Sequence, residues 1–140
     1  MIVRATNRDL IPILQIEKEC FSESNYSRVV EAWYRWTWWV AKDDNTGKMI
    51  GFCAATIVDS NVCFLSLSGV TGPARGKGLQ MKMIRVRERW ARKQRCKKSI
   101  TYTSLSNPAS SNNLIKCGYK IYHPDSYWGL VDGIYWTKDL

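Results

Sequence analysis

The stretch that decides the fold is VTGPARGKGLQ, which runs from Val70 to Gln80. An apolar, strand-like segment from Val62 to Val70 leads into it, and an amphipathic helix begins after Gly78. Glycines let a backbone approach a ligand closely and turn several N–H groups toward one point. The start of the following helix adds unpaired N–H groups and a partial positive charge. The stretch therefore predicts a site for a phosphate-bearing ligand, with formal charge from Arg75 and Lys77.

Two common phosphate-binding loops do not fit this stretch. A nucleoside-triphosphate loop needs four residues between its first glycine and a Gly-Lys-Ser/Thr end. Here three residues separate Gly72 from Gly76, and Gly78 stands where Ser or Thr is needed. A dinucleotide loop needs a third glycine at position 81, which is Met81 in this chain. Neither of these ligand classes is therefore predicted.

The positive charge of the chain is concentrated in one segment. The net charge is +9, and the segment from Arg75 to Lys98 holds eleven Lys or Arg residues and one acid, Glu88. The rest of the chain carries ten basic and eleven acidic residues, so it is nearly neutral. Four of the basic residues share one face of the helix after the loop: Lys82, Arg85, Arg89 and Arg92. This basic stripe is either a solvated helix face or an attraction for an anionic group.

Length, cysteines and histidine narrow the class of protein. The 140 residues have room for one domain, which we expect to span residues 1–140. Five cysteines without a CxxC pair indicate buried, inert thiols in a reducing compartment. His123 is the single histidine, so a His-based zinc site cannot form, and we expect no metal. With no apolar signal segment or membrane-length stretch, the expected location is cytoplasmic.

Hydrophobic periodicity predicts the element order β-α-α-β-β-β-α-β-α-β-β. The predicted strands are residues 2–5, 38–42, 49–57, 62–70, 99–104, 119–122 and 134–137. The predicted helices are residues 9–20, 26–36, a long helix after the glycines, and 108–117 with Asn107 as its cap. The apolar stripe of the long helix is predicted to be Leu79, Met83, Val86 and Trp90. This order indicates an α/β fold whose sheet is antiparallel in its first half, with helices on both faces.

The stretch from Val70 to Gln80 resembles motif A of the GNAT N-acetyltransferases, (Gln/Arg)-x-x-Gly-x-(Gly/Ala), which lies between the fourth strand and the third helix. Arg75 and Gly78 occupy the first two fixed positions, and Gln80 replaces the usual Gly or Ala. A bulky residue there is expected to narrow the approach of a pyrophosphate.

A second resemblance lies downstream, in Asn107-Pro108-Ala109-Ser110-Ser111 and in Lys116-Cys117-Gly118-Tyr119. It is similar to the Asn-x-x-Ser…Lys-x-Gly-Phe stretch of the same family, in the branch that acetylates ribosomal-protein N-termini. The opening Val3-Arg4-Ala5-Thr6 and the apolar positions that follow also resemble the family's first strand and helix.

The resemblance implies a single-domain GNAT fold with a mixed, mostly antiparallel sheet, whose fourth and fifth strands splay apart to admit acetyl-CoA as co-substrate. The backbone from Ser68 to Val70 would pair with the pantetheine arm. Residues Arg75 to Gln80 would hold the pyrophosphate, and Asn107 would contact the arm from the far side. The implied cofactor-binding residues are Ser68, Gly69, Val70, Arg75, Gly76, Lys77, Gly78, Leu79, Gln80, Asn107 and Ser110.

The resemblance also implies the reacting groups. A backbone N–H near Val70 is the expected oxyanion donor. Many members place a thiol-contacting tyrosine where this chain has Leu114, whereas the related branch presents a serine, which falls on Ser110. Tyr119 is the next candidate for the thiol, and Asp125 for the base, since the strand from Val62 to Val70 carries no carboxylate. Further candidates are Tyr122 and Tyr127 for the thiol, and Glu31, His123 and Asp132 for the base.

The predicted activity is acetyl transfer to a primary amine, on a protein N-terminus, on a lysine or on a small molecule. A lysine of pKa about 10.4 costs about 4–5 kcal/mol to deprotonate at neutral pH, against about 1 kcal/mol for an α-amine near 7.8. A site without an evident base therefore favours an amine of low pKa. By resemblance, the loops Phe21–Trp36 and His123–Gly133 would contact the acceptor. They are aromatic-rich at Tyr26, Trp33, Tyr34, Trp36, Tyr127 and Trp128.

Two other functions stay open at this point. One is a GNAT-fold, CoA-binding module with little or no turnover. The other is a nucleic-acid-associated module that uses the helix from Lys82 to Lys98, which is less favoured because the charge lies on one element. No membrane partner is expected, and the chain is expected to be a monomer or a homodimer.

Overall fold

The computed structural model describes residues 1–21 and 26–140. In these ranges the helices are α1 (Leu10–Cys20), α2 (Tyr26–Ala32), α3 (Leu79–Lys93) and α4 (Pro108–Lys116). The strands are β1 (Ile2–Arg4), β2 (Thr37–Lys42), β3 (Met49–Val58), β4 (Val62–Val70), β5 (Lys98–Ser104), β6 (Lys120–Tyr122) and β7 (Gly133–Asp139). Short 3-10 turns occupy Asn7–Asp9 and Gly72–Ala74. Within the described ranges no helix is both long and apolar enough to cross a bilayer. The predicted α/β class and element order are confirmed.

The seven strands form one sheet in the order β1-β2-β3-β4-β5-β7-β6. The β1–β2, β2–β3, β5–β7 and β6–β7 pairs are antiparallel, and β4–β5 is parallel. The described residues divide into two compact units. The first comprises Met1–Thr56 and Ser66–Met83, and the second comprises Ile57–Leu65 and Ile84–Leu140. Each unit draws on two chain segments, so neither corresponds to a continuous domain of the sequence.

The core of the first unit contains fully buried apolar side chains from α1, α2, β2 and β3, such as Ile13, Val29, Val40 and Phe52. Helix α2 was predicted to continue to Trp36, and this was wrong, because the helix ends at Ala32. The Trp36 N–H still donates to the Ala32 carbonyl at 2.8 Å, but the residues between them form turns. This turn leads directly into β2. Burial of Trp38 and Trp39 on that strand stabilises the fold more than a longer helix would.

In the second unit, strand β5 buries its hydroxyl side chains rather than its larger ones. Ser99, Thr101 and Thr103 are buried, whereas Ile100 and Tyr102 are half-buried. Each hydroxyl has a partner: Ser99 accepts from the Tyr119 hydroxyl at 2.8 Å, and Thr103 accepts from the indole N–H of Trp136 at 2.9 Å. Thr101 donates to the Leu65 carbonyl at 2.8 Å. The hydroxyl face of β5 is therefore the buried one, and each of its three hydroxyls is satisfied by a hydrogen bond.

Helix α3 buries a different stripe from the one predicted. Met83, Ile84, Arg87, Glu88 and Ala91 are buried, while Leu79, Val86 and Trp90 are half-buried. The prediction failed because it assumed that Arg87 and Glu88, as charged residues, would lie outside the core. The Glu88 carboxylate lies 2.9 Å from the Lys138 ammonium, and Lys138 also donates to the Cys117 carbonyl at 2.7 Å. A buried carboxylate is tolerated when it is paired in this way.

Candidate functional site

In the first unit, the carbonyl of the last residue of β4 accepts hydrogen bonds from two side chains. The Val70 carbonyl accepts from the Arg75 Nε at 3.1 Å and from the Cys20 thiol at 3.3 Å. A terminal nitrogen of the Arg75 guanidinium also lies 3.7 Å from the Cys20 sulfur. Part of the Arg75 side chain is therefore committed to holding the end of the strand. The charge of this side chain remains close to the loop that follows.

The glycine loop, Gly72–Gly78, turns through left-handed backbone conformations. Gly76 has φ +76° and Gly78 has φ +78°, which other residues adopt only at a cost. A Cβ built at either position would have no heavy atom within 4 Å, so the space beside both glycines is open. Backbone conformation, rather than crowding, accounts for glycine at these two positions.

The backbone N–H groups from Gly76 to Met81 have no acceptor among the residues that the structure describes. The next N–H, that of Lys82, begins the helical bonding by donating to the Gly78 carbonyl at 3.2 Å. Helix α3 itself is 15 residues long, from Leu79 to Lys93. Unpaired N–H groups at the start of a long helix bind anions. Exposed Lys77 lies in the same loop.

Gln80, which departs from the family motif, is held by its side chain. Its Oε1 atom accepts a hydrogen bond from the Ser68 hydroxyl on β4 at 3.2 Å. Both side chains are half-buried. The contact ties the first turn of α3 to the strand and leaves the Gln80 N–H among the unpaired donors. It also brings together two of the predicted cofactor-binding residues.

Gly69 marks a close approach of the β4 backbone to its neighbours. A Cβ at this position would lie 2.8 Å from the Phe52 ring and 3.1 Å from the Cys20 sulfur. The facing Gly51 is similar, since its Cβ would lie 3.1 Å from the Gly69 carbonyl oxygen. Neither position can therefore carry a side chain without a shift of its surroundings.

In the second unit, the start of α4 is capped as predicted. The Asn107 side chain accepts from the Ser110 N–H at 3.2 Å, and Pro108 occupies the first helical turn. The Ser110 hydroxyl has no hydrogen-bond partner among the described residues. The hydroxyl of the neighbouring Ser111, in contrast, is bonded to the Thr103 hydroxyl at 3.1 Å. Ser110 therefore presents an uncommitted hydroxyl at the position that the resemblance predicts.

The other two predicted catalytic residues have different surroundings. Tyr119 is 3% exposed, and its hydroxyl donates to Ser99. Burial raises the pKa of this phenol far above its usual value, and the neighbouring Glu88 carboxylate adds to the effect. The Tyr119 hydroxyl is thus buried and hydrogen-bonded within the second unit, unlike the hydroxyl of Ser110. Asp125 is exposed and lines a pocket of the second unit together with Trp128. Leu114 is buried, so its side chain is part of the core.

The predicted acceptor loops lie only partly within the described residues. Of the range Phe21–Trp36, residues 22–25 are outside them. Trp33 and Trp36 pack against Trp38 at ring distances of 5.2 and 5.7 Å, so Trp33 belongs to the core of the first unit and half-buried Trp36 packs against it. Four aromatic residues of the two loops remain exposed: Tyr26, Tyr34, Tyr127 and Trp128. The alternative base candidates Glu31, His123 and Asp132 are exposed as well.

Three chemically significant residues were missed from the sequence. Glu17 of α1 is fully buried, and a lone acid in an apolar helix stripe gives little warning of that. Glu88 carried a signal, because it is the one acid in the basic segment. Cys20 is half-exposed and contacts both Val70 and Arg75, whereas the other four cysteines are buried. All five cysteines are thiols rather than disulfides, and burial raises the pKa of Cys63 to about 12. In the described ranges no cluster of three or more His, Cys, Asp or Glu residues could hold a metal.

Comparison with known proteins identifies the family. Residues 10–119 match the model of the acetyltransferase (GNAT) family. No curated protein sequence is significantly similar to the chain.

Solved structures share the fold at low sequence identity. An IAA acetyltransferase from Bacillus cereus is 17% identical with a TM-score of 0.83, covering 100% of this chain and 99% of its own. A GNAT family acetyltransferase from Elizabethkingia anophelis with acetyl-CoA bound is 16% identical with a TM-score of 0.83, covering 100% and 97%. The ribosomal-protein-S18-alanine N-acetyltransferase from Escherichia coli is 16% identical with a TM-score of 0.82, covering 99% and 92%. At these identities the likeness concerns the fold.

Proposed function

Since the chain belongs to the GNAT acetyltransferase family, we propose that it moves an acetyl group from acetyl-CoA directly to a primary amine. The observation that carries the proposal is the run of unpaired N–H groups from Gly76 to Met81, at the family's motif A. A similar fold from Elizabethkingia anophelis was crystallised with acetyl-CoA bound. The donor molecule proposed here is therefore acetyl-CoA.

In this proposal the glycine loop holds the pyrophosphate of the cofactor. The unpaired N–H groups supply donors, and the positive end of α3 contributes about 0.3–2 kcal/mol to anion binding. Exposed Lys77 adds a positive charge, while Arg75 contributes charge from a side chain bonded to the Val70 carbonyl. Gln80 does not oppose this arrangement, because its carboxamide is bonded to Ser68 and its N–H remains unpaired.

The proposed chemistry passes through a tetrahedral intermediate. The neutral amine attacks the thioester carbonyl carbon, a C–N bond forms, and the C–S bond then breaks to release the CoA thiolate. A backbone N–H near Val70 would stabilise the oxyanion. The uncommitted Ser110 hydroxyl would donate to the departing sulfur. The proton lost by the amine would leave through water.

Matched serine variants test the role of Ser110. Ser110→Ala removes the uncommitted hydroxyl, and a hydrogen bond to a developing charge is worth about 1.5–3 kcal/mol, or about 10- to 100-fold in kcat. Ser111→Ala is the control, since that hydroxyl is bonded to Thr103. Equal losses in the two variants would remove Ser110 from the mechanism.

The proposed acceptor is an amine of low pKa, such as a protein N-terminus. The residues of β4, Val62–Val70, include no carboxylate, and the predicted base candidates are exposed in the described structure. Free-thiol release should therefore be faster with a lysine-free peptide than with an N-acetylated peptide that contains one lysine. At pH 7.5 we expect at least about a tenfold preference, from the difference in neutral fraction. A faster lysine peptide, or one carboxylate variant that abolishes activity and shifts the pH profile, would contradict this.

Thermal unfolding with ligands tests the function as a whole. Acetyl-CoA at about 100 times its Kd stabilises a folded state by about 2.7 kcal/mol, which is about 10 °C in a domain of this size. No stabilisation at millimolar acetyl-CoA would count against any acetyl-CoA function. Stabilisation without thiol release across an amine panel would identify a binding module. Stabilisation by RNA that disappears at high salt would instead assign the exposed basic stripe to nucleic acid.

A further inference from the structure

The second unit contains a pocket that the proposed function does not use. Its volume is about 440 Å³, which lies within the usual range for small-molecule sites. The residues that carry its chemistry are Asp59, Phe64, Ile100, Tyr122, Asp125 and Trp128. They come from the β3–β4 turn, β4, β5, β6 and the loop after β6. We refer to this site as the aromatic pocket.

The aromatic walls of this pocket fix one another. The Trp128 ring lies edge-on to Phe64, with ring centroids 5.1 Å apart, and its indole N–H donates to the Tyr122 hydroxyl at 3.2 Å. The backbone beside Trp128 is held by Tyr135, whose hydroxyl accepts from the Gly129 N–H at 3.2 Å and donates to the Leu130 carbonyl at 2.8 Å. Trp128 nevertheless remains 39% exposed. The structure therefore presents a preformed indole to solvent.

The charge of the pocket is opposite to that of the chain. Two carboxyl side chains, Asp59 and Asp125, line it, and no Lys or Arg is among its lining residues. The net charge of the whole protein is nevertheless +9. The backbone of Asp59 lies in a tight turn, in which Asp59 has φ +47° and Ser60 has φ +58°. Aromatic faces combined with carboxylates attract organic cations, which basic surfaces repel.

We propose that the aromatic pocket binds an organic ammonium ion that carries an apolar or aromatic body. The ammonium group is placed by Asp59 and Asp125, and the apolar body lies against Trp128 and Phe64. The proposal concerns binding of the cation and not its acetylation, although Asp125 and Trp128 lie in the loop that the resemblance assigns to the acceptor. Acetyl-CoA is not required for this binding.

Calorimetric titration with benzyltrimethylammonium, without acetyl-CoA, tests the proposal. This quaternary ion cannot be acetylated, so it does not report on an acceptor reaction. Neutral benzyl alcohol and anionic benzoate serve as matched ligands. We expect the cation to bind at least tenfold more tightly than either. Equal affinity of cation and alcohol, or no heat with the cation, would overturn the proposal and leave the proposed acetyl transfer untouched.

Conservative variants assign any binding to the pocket. Asp59→Asn and Asp125→Asn should each raise the Kd of the cation at least threefold, and the double variant at least tenfold. Asparagine tolerates positive φ, so the turn at Asp59 is preserved. Asp132→Asn is the control, because this exposed acid lies between β6 and β7 but does not line the pocket. An equal loss in Asp132→Asn would show that bulk charge alone is responsible, which would contradict the proposal.

Trp128→Leu tests the aromatic wall, with an expected loss of at least tenfold in cation affinity. Circular dichroism and thermal unfolding should accompany this measurement, since the substitution also removes the contact with Phe64. If Trp128→Leu is destabilised, the proposal is tested instead by Asp59→Asn and Asp125→Asn, which change exposed residues. A folded Trp128→Leu protein with unchanged affinity would contradict the role of the indole.

Discussion

The glycine loop and the aromatic pocket are built in opposite ways. The loop presents backbone N–H groups without acceptors, around glycines whose surroundings are open. The pocket presents side chains that are locked by ring contacts and by the Tyr135 hydroxyl. The loop lies in the basic segment, whereas the pocket is lined by two acids. The two proposals thus assign a backbone site to an anion and a side-chain site to a cation, and each site should respond to different substitutions.

The largest expected effect that separates the two sites is Gly78→Ala. The left-handed φ of +78° costs a non-glycine residue about 1–3 kcal/mol. Because ligand binding must restore that conformation, we expect the Kd of acetyl-CoA to rise about tenfold or more. Gly72→Ala is the matched control, since Gly72 has no positive φ and no heavy atom within 4 Å of its Cβ position. Calorimetry should show equal affinity of both variants for benzyltrimethylammonium; a loss there would mean that Gly78→Ala acts through general unfolding.

The converse substitution is Gly129→Ala. A Cβ at this position would overlap the Tyr102 ring, so the backbone beside Trp128 has to move. We expect an increase of about fivefold in the Kd of the cation, from lost aromatic contact, with the Kd of acetyl-CoA unchanged. Both Kd values, for the cation and for acetyl-CoA, should be measured by titration of one preparation of the variant. If the substitution weakened only the binding of acetyl-CoA, the two sites would not be distinct in the way proposed.

A smaller effect on the Kd of acetyl-CoA is expected at Gln80, where two substitutions test the charge and the size of the side chain separately. Gln80→Glu keeps the shape but places a negative charge beside the unpaired N–H groups, and we expect a threefold to fivefold weaker, salt-dependent binding of acetyl-CoA. Gln80→Ala restores the residue type common in the family and should change the Kd less than twofold. If Gln80→Ala instead tightened binding tenfold, the side chain would be an obstruction, despite its bond to Ser68.

The smallest effect concerns thiol reactivity. In the native protein, 5,5′-dithiobis(2-nitrobenzoate) should react first with half-exposed Cys20. Cys63 should react only on unfolding, because it is buried and its thiol pKa is about 12. Cys20 contacts Arg75 and Val70, so acetyl-CoA should slow its reaction about twofold, while the cation should not. Cys20→Ser, which should lose the fast phase, is the control. Protection by the cation rather than by acetyl-CoA would reverse the assignment.

The sequence predicted the glycine loop and the α4 cap because both depend on neighbouring residues. Left-handed glycines, a helix start and the Asn107 cap are local features, and the structure has all three. Strand β4 was likewise predicted with its observed bounds, Val62–Val70, since turns and an apolar run define it. A single sequence predicts best those features that depend on residues close to one another in the chain.

The aromatic pocket could not be predicted in the same way. Asp59, Phe64, Ile100 and Trp128 are far apart in the chain; the parallel pairing of β4 and β5 places Phe64 beside Ile100, and the turn before β4 and the loop after β6 bring in the other two. The buried Glu88 was missed for the same reason, since its partner Lys138 lies 50 positions later. Tyr119 was predicted as catalytic, and its burial against Ser99 became evident only from the pairing of distant elements.

A two-dimensional ¹H–¹⁵N NMR titration with acetyl-CoA tests the central claim most directly. The unpaired amides from Gly76 to Met81 should shift in a saturable manner, because they acquire an acceptor. The indole N–H of Trp128, already bonded to Tyr122, should remain in place. Unchanged loop amides at millimolar acetyl-CoA, or shifts centred on the Trp128 indole, would contradict the assignment of the glycine loop as the cofactor site.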